Sequence, residues 1–72
     1  MNVRPGVAHG LVVDAQSVRC GDQLLVGGQA LTVVDMAALP RGGRRLTFGT
    51  GETFTMGPAT VVWATRTISV RR

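Results

Sequence analysis

The 72-residue chain has no lysine and no tyrosine, and it has one cysteine, one histidine and one tryptophan. Each shortage closes an option. A single cysteine, Cys20, excludes a disulfide within the chain. Cys20 and His9 are the only strong soft ligands and show no zinc-binding spacing, so no metal is expected. The four acids are Asp14, Asp22, Asp35 and Glu52, and none is paired at a spacing useful for acid–base work. No Ser-His-Asp pattern and no cofactor loop accompany them, so no catalytic residue and no cofactor are expected. Long apolar runs are absent too. Nothing approaches the roughly 18 residues of a membrane helix. Residues 1–13 lack the continuous apolar segment of a signal peptide. The expectation is a cytoplasmic protein that is not an enzyme and does not enter a membrane.

What is present is apolar, glycine-rich and basic. Hydrophobic residues make up 44% of the chain, and ten residues are glycine. Eight basic residues against four acidic give a net charge of +4, and all eight are arginine. Planar guanidinium contacts to phosphate or carboxylate are one reason for such usage. Codon bias in a GC-rich genome is another. A domain of this size buries only about 60% of its unfolded surface, so it leans on sheet closure or association for stability.

The clearest local signal is a hairpin. Gln23–Val26 and residues 29–36 are apolar runs separated by Gly27-Gly28, a pair able to take φ > 0 at both positions of a type I′ turn. Strict alternation along the second run places Leu31, Val33 and Asp35 on one face. Ala30, Thr32, Val34 and Met36 fall on the other. Both faces are apolar enough to suggest a strand curled into a barrel. A second hairpin, Arg44–Phe48 with residues 52–56, turns at Gly49-Thr50-Gly51 and puts Leu46, Phe48, Phe54 and Met56 on one buried face.

Residues 11–13 form a first short strand, followed by one helical turn capped by Asp14, with Ala15 and Val18 resting on the sheet. Pro58 marks a break, with a single 3₁₀ turn over residues 57–60, and residues 61–70 form the last strand. Residues 1–10 read as a flexible arm, residues 11–70 as one domain and residues 71–72 as a basic tail. Cys20 reads as a small half-buried packing residue.

The most basic segment is residues 37–45, AALPRGGRR, with Arg41, Arg44 and Arg45 close together. It is either a cationic tip that reaches phosphate oxygens or a solvated loop that keeps the protein soluble. Arg66 falls in phase with the apolar residues of the last strand, where that face emerges from the core. Trp63 either stacks on a base or partner, or fills the core.

The order of strand, turn, Gly-Asp, hairpin, basic loop, hairpin and last strand resembles SH3-like barrels. Gly21-Asp22 followed by Leu24, Val26 and Gly28 looks like the opening of a KOW-type element. The Arg-only, Gly/Val-rich style is also similar to small actinobacterial proteins. The resemblance implies an all-β fold: a small SH3-like barrel of five to six short antiparallel strands with one helical turn. The charge adds an expected function. The chain is a small basic module that binds DNA or RNA through Arg41, Arg44, Arg45, Arg66, Arg71 and Arg72. The alternative is a protein-interaction module, either a homodimer formed edge to edge through the C-terminal strand or a groove for an acidic protein partner.

Overall fold

The computed structural model describes residues 6–69. Arg71 and Arg72 lie outside the described residues. Six strands form one antiparallel sheet in the order β1-β6-β2-β3-β4-β5. They are β1 (Gly6–Asp14), β2 (Gln23–Val26), β3 (Gln29–Ala38), β4 (Arg44–Phe48), β5 (Thr53–Met56) and β6 (Val61–Ser69). The fold class is all-β. The sheet does not close: β1 and β5 are its two edges. Among the described residues no helix is long and apolar enough to cross a membrane.

Turn chemistry fixes both hairpins. Gly27 and Gly28 have φ of 58° and 82°, the paired positive values that match the twist of β2 and β3. In the β4–β5 turn the amide of Gly51, at φ 94°, donates to the carbonyl of Phe48. After β1 the chain reverses around Asp14. Its Oδ1 accepts from the amides of Gln16 and Ser17, and its carbonyl accepts from Val18. The segment is a turn where the sequence suggested a helical one, and the Asp14 cap tucks Ala15 and Val18 into the core.

Ten buried apolar residues from every strand and the β1–β2 turn form one core: Val13, Ala15, Val18, Leu24, Leu31, Val33, Leu46, Phe48, Met56 and Ala64. Among the described residues no second layer covers the sheet, and the one core is built from its six strands and the β1–β2 turn.

Four details differ from the sequence reading. First, β1 starts at Gly6, so half of the expected arm is strand. Its partner is β6, in register from Gly6↔Ser69 to Asp14↔Val61. The four strands lying between them in sequence hide that pairing from local inspection. Second, a bulge at Val34 breaks the alternation in β3. Val33 pairs with Phe48, but Asp35 then pairs with Thr47 and Met36 with Leu46. Met36 therefore packs against the core, and Asp35 turns out to solvent. Third, the 3₁₀ turn is at Pro40–Gly42, where Pro40 pre-sets φ at the first position. Residues 57–60 instead close a turn in which Thr60 Oγ1 accepts from the Gly57 amide. Fourth, β6 lies between β1 and β2. β1 pairs with β6 along its described length, and β2 pairs with it at Thr65 and Ala64.

Candidate functional site

The basic loop is built by β3 and β4. Both strands end on it, and Leu39 donates its amide to the Gly43 carbonyl across its neck at 2.9 Å. Arg41 has φ 67°, the one described non-glycine residue in the left-handed region. Gly42 beside it is at φ 83°. Gly43 is held by close approach: a Cβ there would stand 2.8 Å from the Met56 carbonyl oxygen. Arg41 and Arg45 are exposed. Arg44 is half-buried on the core side of β4, its Nη1 4.0 Å from Met36 Sδ. Among the described residues none of these three forms an ion pair.

Arg66 has a different setting. Its Nε donates to Asp22 Oδ1 and its Nη2 to Asp22 Oδ2, each at 2.8 Å, and Nη2 also reaches the Ser17 carbonyl at 3.0 Å. Asp22 is 1% exposed and takes a further hydrogen bond from the Arg19 amide. The hydrogen bonds from Arg66 hold the Asp22 carboxyl below the usual carboxylate range against the opposing effect of burial. The guanidinium is thus pinned in one orientation, at the wall of a cavity of about 310 Å³ lined by Arg19, Cys20, Gly21, Asp22, Arg66 and Thr67. Cys20 is exposed here, where the sequence suggested packing, because the turn points residue 20 away from the core. His9, also exposed, stands across from Arg66 in the β1–β6 register.

Trp63 faces out. Val12 is its cross-strand partner on β1, and the indole lies over Gly10, where a Cβ would stand 3.5 Å from Cζ3. Leu25 emerges on the same face of β2, one step beyond the Leu24↔Ala64 pair, and Val61 precedes Trp63 on β6. All four are more than half exposed. This apolar row is remote from the basic loop. Leu25 pairs with Ala30 at one end of β3, and Arg45 pairs with Ala37 near the other. At about 3.3 Å per residue those positions are roughly 20 Å apart.

A further cavity of about 350 Å³ opens between the two hairpins, with Phe48, Phe54, Leu31 and Glu52 among its walls. Among the described residues no three His, Cys, Asp or Glu side chains gather as a metal site.

The structure therefore places Arg41 in the loop, Arg44 and Arg45 at the adjoining start of β4 on opposite faces, and Arg66 apart from all three. It also places two residues that sequence reasoning passed over, Arg19 and Asp22, beside Arg66. A signal for Asp22 was available. An arginine in phase with buried residues needs an acid, and only four acids exist in the chain. No protein-family model, no curated protein and no solved structure matches this chain.

Proposed function

We propose that this chain is a small basic module that holds DNA or RNA through phosphate contacts, on an SH3-like barrel left open between β1 and β5. The single core that all six strands share supports the barrel reading. The observation that carries the function is the loop. Arg41 in the loop and Arg44 and Arg45 at the adjoining start of β4 have no acidic partner among the described residues, whereas the buried carboxylate, Asp22, is matched to Arg66. The exposed guanidinium groups of Arg41 and Arg45 suit phosphodiester oxygens. Binding of this kind is salt-sensitive and only weakly selective for sequence.

A fluorescence titration with short DNA and RNA at low and moderate salt tests the reading. Affinity should fall steeply with salt. The double variant R41Q/R45Q should flatten the log–log salt slope by about two, close to one for each lost contact. No binding at low salt, or binding indifferent to salt, rejects it.

The outer row of Val12, Leu25, Val61 and Trp63 favours a second reading, self-association face to face rather than edge to edge. The row carries no charge, so two chains of net charge +4 meet there without burying an arginine. Light scattering coupled to size exclusion distinguishes this case. A dimer that W63S converts to monomer supports it, and a monomer at all concentrations excludes it.

A further inference from the structure

We infer that the cavity beside Arg19 and Arg66 is a phosphate-group subsite, distinct from the basic loop, with Asp22 as its positioning residue. The inference rests on the phosphate-binding reading above and adds a second point of attachment to it.

Three observations converge. First, the Arg66 guanidinium is fixed before any ligand arrives. Nε and Nη2 are committed to Asp22 and the Ser17 carbonyl, while Nη1 has no acceptor among the described residues. A guanidinium held this way loses little rotamer freedom when it engages an anion. Second, the Asp22 charge is already answered. Oδ1 accepts from Arg66, and Oδ2 accepts from Arg66 and the Arg19 amide. With Arg19, Arg66 and Asp22 in the wall, the cavity carries a net charge of about +1, from two cations and one anion. Third, the volume of about 310 Å³ is open to solvent, and two guanidinium groups but no large apolar side chain line it. A hydrated phosphate group suits that space better than an apolar ligand does. Arg19 is exposed, and among the described residues its side chain has no ion-pair partner. Its guanidinium is thus free to share an anion in the cavity with Arg66.

Two experiments test this on the full chain. In the first, inorganic phosphate is titrated while the arginine Nε–H resonances are followed by NMR. Saturable shifts at Arg19 and Arg66, lost in R19Q, support the subsite, and unshifted resonances overturn it. R19Q removes an exposed side chain and leaves the Asp22–Arg66 pair in place, so its fold is retained. In the second, R19Q is titrated with a short oligonucleotide beside the wild type. A Kd raised severalfold, with the salt slope reduced by about one, assigns the phosphate to nucleic acid. Unchanged affinity and slope in R19Q, with the wild type binding normally, overturn the inference and leave the proposed function standing. A wild type that ignores oligonucleotides but shifts with phosphate overturns the proposed function and leaves the subsite as one for free phosphate.

Discussion

Arg66 grips Asp22 with two parallel hydrogen bonds of 2.8 Å, across 44 residues of sequence. The pair ties β6 to the turn that launches β2. Removing one partner strands the other. D22A should lower stability by about 2–3 kcal/mol, a value taken below that of fully buried pairs because Arg66 is partly solvated. R66K, which keeps the charge but loses the fork, should also destabilise, as read from the urea midpoint.

The same pair sets an acid response. The Asp22 carboxyl is held low in the folded chain by Arg66, so its contribution is fully present above the unfolded carboxylate value near 4. It is lost as pH falls through the lower folded value. Asp14 behaves alike, held low by amide hydrogen bonds from Ser17 and Gln16. Urea midpoints should be level in this respect between about pH 5 and 8 and should drop below about pH 4. D22N should have a shallower drop, with the Asp14 part remaining. An unchanged acid limb in D22N contradicts the assignment.

Gly43 lets the basic loop approach β5. G43A would press a methyl group against the Met56 carbonyl 2.8 Å away, and backbone has to move. The expected loss is about 1–3 kcal/mol, measured by denaturant unfolding.

Arg41 stands in the left-handed region at φ 67°, where a side chain is disfavoured. R41G should raise stability by about 0.5–1 kcal/mol, the relief of strain being partly offset by a looser unfolded chain. If Arg41 touches phosphate, the same variant should bind oligonucleotide less well. Opposite signs in the two measurements would mark a residue kept for binding at a cost to stability.

Leu46 and Trp63 make a contrasting pair. Leu46 is fully buried, and L46A should cost about 2–5 kcal/mol, enough to unfold much of a chain this small. Trp63 is 59% exposed, and W63A should cost less than about 1 kcal/mol in dilute solution. A large loss from W63A that deepens with protein concentration would show the indole to be covered by a second copy.

The elements written in short-range chemistry were legible from the chain alone. Gly27-Gly28 announces its turn because two adjacent positive φ values need glycine. Asp14 announces its cap because a short carboxylate reaches the next amides. The alternation of Leu46, Phe48, Phe54 and Met56 names the buried face of β4 and β5, since a strand's side chains repeat every two residues. The two hairpin patterns likewise pointed to an all-β class, and composition gave the surplus of guanidinium groups.

Only the tertiary structure decided the rest, because it depends on groups brought together from far apart. The pairing of Gly6 with Ser69 made an arm into a strand. The bulge at Val34 turned Met36 inward, a shift that strict alternation does not encode. Trp63 and Arg66, on one strand, went to opposite faces, one uncovered and the other locked to Asp22. Sequence specified how many positive charges there are. Long-range packing specified which of them already have a partner, because a carboxylate's preference among eight arginines is settled by distance and burial.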